Sequence, residues 1–279
     1  MSSQHVFSME NTNFARMKQT HALFLDIDGT LVSFNTHEIP ASTIHALTLA
    51  KANGHRIYIA TGRPFSIISN VDAIKHLVDG YITTNGAHCL IQGKTIYYLP
   101  IPDSDVQAVL QDARANDYSL IVVSEHYFVA FQPHEDVDRI FRHELNIKQL
   151  NVDEPWQPAL QEPILQFCPF FPVEHEPLIA PKIPNCVCQG RWHPEFTDIT
   201  ARQADKGRAL EIMARHEGID LSHTIAFGDG GNDMSMILKA GIGVAMGNAI
   251  APLKQAAQYV TSSVDDNGIP NALKHFGII

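Results

Sequence analysis

Two acidic segments come directly after apolar stretches that are typical of buried strands. Asp26 and Asp28 lie in the first, DIDGT, whereas Asp229 and Asp233 lie in the second, GDGGND. Ligands of open α/β sheets bind at the carboxyl ends of the strands, so we expect the two segments to meet at one sheet edge. Carboxylates this close repel each other unless a cation or a shared proton compensates, and hard oxygen ligands suit Mg²⁺ beside a phosphate. The sequence therefore predicts a Mg²⁺ site at this edge.

Each acidic segment also has a purely structural interpretation. Asp28 with Gly29 is typical of a turn, and Asn232 with Asp233 can cap the N-terminus of a helix. The glycines of the second segment resemble a dinucleotide-binding loop, but Asp233 stands where the third glycine is needed. Because an acid beside a pyrophosphate is unfavourable, we expect no dinucleotide here.

Two further segments offer groups that bind a phosphoryl group. Thr61, Gly62 and Arg63 follow the apolar stretch RIYIA and supply a hydroxyl, backbone N–H groups and a guanidinium. Lys206 opens the predicted helix that precedes the second acidic segment. Such donors, together with a metal ion, stabilise the charge on a transferring phosphoryl group. A single Thr at a strand end, or a single Lys in a first helical turn, is more often structural or solvated, so the prediction depends on their combination.

Strand and helix patterns alternate through the first 85 residues. In chain order they are His21–Asp26, Ala41–Asn53, Arg56–Thr61, Pro64–Asp79 and Tyr81–Thr84. This strand–helix alternation indicates a parallel sheet with right-handed crossovers. It returns after Ala204, with helix Asp205–Glu217 and strand His223–Asp229. We therefore predict a doubly wound, Rossmann-like α/β core.

The middle of the chain has a different pattern, with many strands and few helices. The predicted strands are Thr95–Pro100, Ser119–Ser124, Tyr127–Phe131, Ile164–Phe170, Val187–Trp192 and Phe196–Thr200, and the predicted helices are Asp103–Asn116 and Glu135–Leu145. We predict a first core part at 1–85, an inserted α+β domain at 86–195 and a second core part at 196–279. Residues 1–19 are polar and unpatterned; we expect them to be loosely ordered, with Met17 as an alternative start.

The composition excludes several classes of protein. With 45% hydrophobic and 18% charged residues among 279, the chain can bury a sizeable core. Its net charge of −10 argues against binding to nucleic acid, and no apolar run approaches the ~18–20 residues of a transmembrane helix. We find no signal-peptide pattern, and four cysteines do not make a disulfide framework in a chain this long. We expect a cytoplasmic monomer or weak dimer that binds neither nucleic acid nor membrane.

In their order along the chain, the four segments resemble the motifs of the haloacid dehalogenase (HAD) superfamily of phosphohydrolases. The first acidic segment matches its first motif, Thr61 its second, Lys206 its third and the second acidic segment its fourth. The position of the insertion and the segment Thr84–Ala87 resemble the Cof-type subfamily, which carries an α+β cap domain. The resemblance implies that the inserted segment is such a cap on an α/β HAD core.

The resemblance also implies roles for individual residues. Asp26 would be the nucleophile that forms an aspartyl-phosphate, and Asp28 would protonate the leaving oxygen and then activate water. Thr61 and Lys206 would hold the phosphoryl oxygens. The groups implied for Mg²⁺ are Asp26, the backbone carbonyl of Asp28, Asp229 and, acting through the metal's waters or Lys206, Asp233. The residues expected near the substrate are Gly62, Arg63, Asn85 and Asn232.

One position departs from the common pattern of the family. Asp205 precedes Lys206, where the family often has Ser. A carboxylate at this position can cap the helix or hold the lysine ammonium in place, and both interpretations leave the role of the lysine intact.

The motifs together predict a Mg²⁺-dependent phosphatase that hydrolyses a small phosphorylated metabolite, a sugar phosphate above all, through an aspartyl-phosphate. Two alternatives stay open. A phosphomutase would return the phosphoryl group to the sugar, and a phosphate-sensing module would bind without turnover. The second acid of DIDGT favours transfer to water, and a sensing module has no use for a cap.

Overall fold

The computed structural model describes residues 19–68, 70–144, 147, 150 and 152–279, which form two β-sheets. The expectations for residues 1–19 and for Met17 lie, except at Gln19, outside the described residues. Within the described part of the chain, no helix is both long enough and apolar enough to cross a membrane.

The regular elements are numbered in chain order. The strands are β1 (Ala22–Leu25), β2 (Arg56–Ala60), β3 (Gly80–Thr83), β4 (His88–Ile91), β5 (Lys94–Tyr98), β6 (Leu120–Val123), β7 (Phe128–Phe131), β8 (Gln166–Pro169), β9 (Cys186–His193), β10 (Phe196–Ala201), β11 (Thr224–Gly228), β12 (Ile242–Ala245) and β13 (Tyr259–Val260). The helices are α1 (Ala41–Ala52), α2 (Asp103–Asn116), α3 (Glu135–Val137), α4 (Glu176–Ile179), α5 (Lys206–His216), α6 (Met234–Lys239), α7 (Ala251–Ala256) and α8 (Gly268–His275). Short 3₁₀ turns join several of them.

The larger sheet has the strand order β13-β12-β11-β1-β2-β3-β4-β5. Pairing is parallel from β13 to β3 and antiparallel in the β3–β4–β5 meander. Every side chain of the central strand β1 is fully buried. A continuous apolar run of this kind fits a parallel strand whose sheet is covered on both faces. The strands on either side of β1 therefore end at one common edge, on which the acidic segments lie.

Helices cover this sheet and begin or end at residues with clear local reasons. Helix α1 packs against α8, and α5 packs against α6. Helix α1 ends at Ala52, and Gly54 adopts φ +88°, which glycine accepts without a steric penalty. Helix α5 begins after Asp205, whose side chain accepts a hydrogen bond from the backbone N–H of Arg208. Asp205 therefore caps the helix, one of the two interpretations left open by the sequence.

The smaller sheet is antiparallel, with the strand order β7-β6-β8-β10-β9. Side chains alternate between its faces, so Leu120 and Val122 join one apolar cluster while Ile121 and Val123 join another. The second cluster also includes Ile67, which belongs to the core segment after β2. This face of the cap sheet therefore packs onto the core beside the acidic edge. The predicted α/β core with an inserted α+β unit is confirmed.

The sheets divide the chain differently from the predicted domain at 86–195. Strands β4 and β5 belong to the larger sheet, and β10 belongs to the smaller one. The reason is that β4 follows β3 after a short turn and pairs with it directly, whereas strand patterns alone do not assign a strand to a sheet. We propose from this membership that the cap spans about 101–201.

Two predicted helices have other geometries. The segment Pro64–Asp79 forms 3₁₀ turns at Phe65–Ile67 and Asp72–Leu77, separated by extended backbone at Ile68. The segment Glu135–Leu145 begins as α3 and continues as a π-helix at Asp138–Glu144. Both segments carry apolar side chains into the cap cluster around Ile67, so tertiary packing decided their geometry more than helical spacing did.

Candidate active site

Four neighbouring strands of the larger sheet end at the acidic edge. Asp26 follows β1, Thr61 follows β2 and Asp229 follows β11, while Asn85 lies in the turn after β3. Because these strands are parallel and adjacent, their carboxyl ends place the four residues side by side. Asp26 and Asp229 meet at this edge, as the strand positions predict, and the role of each residue stays a prediction.

Lys206 forms the centre of a buried ion cluster. Its Nζ donates to Oδ1 of Asp26 at 2.7 Å and to Oδ1 of Asp233 at 2.6 Å. The side chains of Lys206 and Asp233 are fully buried. Burial alone would lower the pKa of Lys206, but the two carboxylates outweigh it and raise the pKa, so the ammonium stays charged. Lys206 thus links the motif after β1 to the motif after β11.

Asp233 is held by hydrogen bonds on both carboxylate oxygens. While Oδ1 accepts from Lys206, Oδ2 accepts from the backbone N–H groups of Asp229 and Gly230, each at 2.9 Å. This arrangement shapes the loop and leaves Asp233 facing the lysine. The predicted position of Asp233 behind the metal ligands stays a prediction.

The edge carries more negative charge than its cations neutralise. Burial, followed by the repulsion of Asp233, raises the pKa of Asp229 to about 7. The same two causes, in the same order, raise the pKa of Asp26 well above its ordinary value despite the contact with Lys206. One carboxylate oxygen from each of Asp26, Asp229 and Asp233 lies within 4.8 Å of the others. This oxygen-only, electron-rich donor set fits a divalent cation such as Mg²⁺.

The segment DIDGT packs tightly against Asp229. The Thr30 hydroxyl donates to Oδ1 of Asp229 at 3.2 Å. Gly29 adopts φ +81°, and a Cβ there would overlap with Oδ2 of Asp229. Asn248 donates to the same Oδ2 at 3.4 Å and to the carbonyl of Gly29 at 2.8 Å. The glycine is therefore required both by the turn and by the close approach of the carboxylate.

Asp28 has a partner that the sequence did not indicate. Its carboxylate accepts two hydrogen bonds from Arg63, from Nε at 2.8 Å and from an Nη at 2.7 Å. A bidentate pair of this kind fixes the orientation of both planar groups. The Asp28 side chain is therefore turned toward the segment after β2, and its carboxylate is not part of the group formed by Asp26, Asp229 and Asp233.

The residues predicted near the substrate form a connected row. The Thr61 hydroxyl accepts from the N–H of Arg63 at 3.1 Å, and the carbonyl of Thr61 accepts from the N–H of Asn85 at 3.2 Å. The Oδ1 of Asn85 accepts from the side chain of Asn232 at 3.0 Å. A Cβ at Gly62 would lie 3.0 Å from that same Oδ1. The structure therefore brings all of these residues to one side of the acidic edge.

A cavity of about 170 Å³ opens above the edge, between the core and the cap. From the core it is lined by Asp26, Asp28, Thr61, Gly62, Arg63, Asp229 and Asn232, together with neighbouring loop residues. From the cap it is lined by Phe128, Phe141, Glu144, Ile147, Gln166, Cys168, Phe196 and Asp198. A space of this size accepts a small metabolite and is too narrow for a folded protein.

Gln166 and Asp198 are cavity residues that the sequence reasoning missed. Both are buried in cap strands, and the Oδ2 of Asp198 accepts from Asn85 at 3.1 Å. Burial raises the pKa of Asp198 to about 6, against hydrogen bonds that lower it. The available signal was a charged or amide side chain at a strand position that should be buried, since such residues are rarely buried without a partner.

The haloacid dehalogenase-like hydrolase family matches residues 23–273. The chain belongs to this family. YkrA of Bacillus subtilis (strain 168), whose name assigns it provisionally to the phosphatases, is 31% identical over 92% of this chain and 98% of its own. The predicted resemblance to the HAD superfamily is confirmed.

Solved structures agree with this assignment. The HAD subclass IIB sugar phosphatase BT4131 is 46% identical over 93% of this chain and 100% of its own, with a TM-score of 0.87. BT1666 of Bacteroides thetaiotaomicron, a phosphatase of the same superfamily, is 33% identical over 98% of this chain and 100% of its own, with a TM-score of 0.85. The prediction of an HAD-type phosphatase with a Cof-type cap is confirmed. The similarity to these phosphatases disfavours a phosphate-sensing module without turnover.

Proposed function

We propose that this protein hydrolyses a small sugar phosphate in a Mg²⁺-dependent reaction that passes through an aspartyl-phosphate on Asp26. The observation that carries the proposal is the convergence of Asp26 and Asp229 at the base of a cavity between core and cap, with Lys206 bonded to Asp26. The similarity to the sugar phosphatase BT4131 supports the substrate class.

In the first step, a carboxylate oxygen of Asp26 attacks phosphorus while the bond from phosphorus to the leaving oxygen breaks. Lys206 holds the Oδ1 of this carboxylate, and its ammonium has a third N–H that we expect to donate to a phosphoryl oxygen. The Thr61 hydroxyl is a second donor for the phosphoryl group. Donors fixed before the reaction stabilise the transferring charge without reorganisation, which accounts for much of the catalysis in phosphoryl transfer.

Asp28 handles the proton in both steps. In the first step it takes up a proton from solvent and gives that proton to the leaving oxygen of the sugar. In the second it accepts a proton from a water molecule, whose oxygen then attacks the phosphorus of the aspartyl-phosphate. The bond to Asp26 breaks, inorganic phosphate leaves, and Asp26 returns as a carboxylate. The sum is hydrolysis of one phosphate ester.

Arg63 controls when Asp28 is free to act. While both oxygens of Asp28 accept from Arg63, the carboxylate is oriented toward the guanidinium. A phosphate dianion entering the cavity is a competing bidentate partner for the guanidinium. Arrival of the substrate therefore releases Asp28 for proton transfer, and Arg63 takes part in binding the phosphate.

The groups that would hold Mg²⁺ are the carboxylates of Asp26 and Asp229 and the backbone carbonyl of Asp28, with Asp233 supporting them from behind. When bound, the ion neutralises the charge that develops on the phosphoryl oxygens. The raised pKa of Asp229 and Asp26, caused first by burial and then by the repulsion of Asp233, is consistent with a site built for an added cation.

The experiment that tests the proposal replaces Asp26 by Asn. The variant should hydrolyse an aryl phosphate at least about 10³-fold more slowly, because an amide is no nucleophile here. Asp103→Asn, an exposed acid on the cap helix α2, is the matched control and should keep full activity. Retention of more than a few per cent of activity by the Asp26→Asn protein would refute the nucleophile.

The same preparation separates hydrolysis from the phosphomutase alternative. Wild-type protein is incubated with a hexose phosphate and Mg²⁺, and both inorganic phosphate and isomeric hexose phosphates are measured. Hydrolysis releases phosphate in proportion to the substrate lost. Accumulation of an isomeric hexose phosphate without free phosphate would establish the mutase.

A further inference from the structure

The cap wall of the cavity is apolar except at a few positions. Its large apolar members are Phe128, Phe141, Ile147 and Phe196. Glu144 lies on the exposed side of this wall, whereas Gln166 and Asp198 are only 2% and 5% exposed. A cavity of this kind binds apolar surface broadly and owes its selectivity to the few polar groups that are fixed within it.

The cap sheet places these two polar side chains on one face. Strands β8 and β10 are antiparallel neighbours, with Phe167 opposite Ile199. Those two residues point into the cap's own apolar cluster. Because side chains alternate along a strand, Gln166 and Asp198 point the other way, toward the core. Their position is therefore set by the sheet and does not depend on a flexible loop.

Gln166 and Asp198 carry more hydrogen-bond acceptors than the donors around them satisfy. The amide Nε2 of Gln166 donates to the sulfur of Cys168, but its Oε1 is buried and has no hydrogen-bond partner among the described residues. Asp198 accepts from the thiol of Cys168 at 3.3 Å and from Asn85 at 3.1 Å. A carboxylate has lone pairs for about four hydrogen bonds, so acceptor capacity remains. A ligand that satisfies this wall must bring hydrogen-bond donors.

Asp198 is also joined to the end of the cavity that takes the phosphoryl group. Its partner Asn85 accepts from Asn232 and donates through its backbone to the carbonyl of Thr61. The carboxylate therefore contacts, through Asn85, the row of residues predicted near the substrate. We expect it to meet donor groups on the carbons nearest the phosphoester.

We propose that Gln166 and Asp198 bind hydroxyl groups of the leaving group and thereby select phosphate esters of polyols. This inference rests on the proposed phosphatase function and adds the residues that determine its substrate specificity. Hydroxyl groups supply the missing donors, while the C–H faces of a sugar pack against the aromatic rings of the same wall. The loss of a single acceptor leaves a buried hydroxyl unpaired, which a site of this kind rejects strongly.

The test compares two substrates that differ only in hydroxyl groups. Sorbitol 6-phosphate and hexyl phosphate are both esters of a linear primary alcohol of six carbons, and only the first carries further hydroxyls. The wild-type protein should prefer sorbitol 6-phosphate in kcat/KM. In Asp198→Asn this preference should fall at least about tenfold, mainly through KM, and in Gln166→Met about three- to tenfold.

Asp105→Asn is the matched control, since Asp105 is another buried cap acid, bonded to Asn185 and absent from the cavity wall. Its preference should be that of the wild type, and a melting curve checks that every variant folds. An equal loss for both esters in Asp198→Asn and in Gln166→Met would overturn the proposal.

Other outcomes are also decisive. If the wild type prefers a phosphorylated aminopyrimidine to both alkyl esters, and this preference depends on Asp198, the donors are amino groups and the polyol assignment is wrong. If the wild type hydrolyses aryl phosphate but shows no preference for hydroxyls, this inference fails while the phosphatase proposal stands. If no ester is hydrolysed, the phosphatase proposal itself fails.

Discussion

The buried acids of the core edge and the buried Asp112 of the cap are compensated in opposite ways. At the core edge, Asp26, Asp229 and Asp233 cluster together, and Lys206 donates to Asp26 and Asp233. Burial and repulsion between these carboxylates raise the pKa of Asp229 to about 7 and that of Asp26 well above its ordinary range. Ionised acids therefore cost folding free energy at this edge.

Asp112 in the cap accepts hydrogen bonds from three side chains. Its fully buried carboxylate accepts from the Tyr118 hydroxyl at 2.9 Å, and from His175 Nε2 and Lys182 Nζ at 2.6 Å each. Burial alone would raise the pKa of Asp112, but the hydrogen bonds from Lys182, His175 and Tyr118 lower it. Here the ionised acid stabilises the fold.

The difference distinguishes a site that requires a ligand, the core edge, from a site that stabilises its own domain, the surroundings of Asp112. Strongly perturbed acids in a cleft are typical of function because the missing compensation is supplied by a ligand. A satisfied buried acid needs no ligand and organises its own domain. Four substitutions test this contrast, and those with the strongest consequences come first.

Lys206→Met removes the only cation that touches both Asp26 and Asp233 within the described residues. We expect kcat to fall by about 10³-fold or more. The fold should lose about 3–5 kcal/mol in EDTA, because unpaired charges stay buried. The raised pKa of Asp26 makes its ionisation cost stability as pH rises, so the loss should be larger at pH 8 than at pH 5. A kcat within tenfold of wild type would contradict this account.

Asp229→Asn should weaken Mg²⁺ binding and stabilise the metal-free protein. We expect Mg²⁺ affinity, measured by calorimetry, to fall at least about 100-fold. The pKa of Asp229 is raised to about 7 from roughly 3.9 in an unfolded chain, so its ionisation costs stability from about pH 4 upward and fully above pH 7. In EDTA the variant should therefore melt higher than wild type at pH 8 and show little difference at pH 4. A lower melting temperature of the variant than of the wild type at pH 8 would contradict the proposed contrast with Asp112.

Asp112→Asn should have the opposite effect in the cap. We expect a loss of about 2–3 kcal/mol, because buried donors lose a charged acceptor. The lowered pKa of Asp112 means that its contribution is present above about pH 4 and is lost as pH falls through the folded-state pKa, so the deficit should shrink in acid. Below the melting transition, kcat/KM should stay that of wild type. Unfolding measured at pH 7 and at pH 3.5 checks the sign.

Asp205→Ala should change the protein least. The Asp205 side chain caps α5 through the N–H of Arg208 at 2.8 Å. Its loss should cost about 1 kcal/mol, and Asp205→Ser should restore most of it. Activity should change little, since Lys206 stays anchored by its own two ion pairs. A collapse of activity in the Ala variant with normal stability would show that Asp205 acts on the lysine directly.

The acidic edge was predictable because it depends on short-range patterns. An acid directly after a buried parallel strand is placed at the carboxyl edge by strand geometry, which is how Asp26 and Asp229 were expected to meet. The segment Pro64–Asp79 was wrongly predicted as a helix, because its 3₁₀ geometry follows from packing with distant residues. The extent of the cap stays a prediction, because the sheet to which a strand belongs depends on pairing that strand patterns do not show.

By itself the sequence determined which chemistry the core carries, because its motifs are contiguous and each follows its own strand. Only the tertiary structure decided how those groups are partnered. Arg63 holds Asp28, and Asp233 faces Lys206 instead of the open cavity. The tertiary structure also decided that Gln166 and Asp198 of the cap line the same cavity as the acidic edge. These pairings join residues far apart in the chain and depend on packing between two sheets. Local residue patterns do not predict such packing, because they reflect only the neighbours of each residue along the chain.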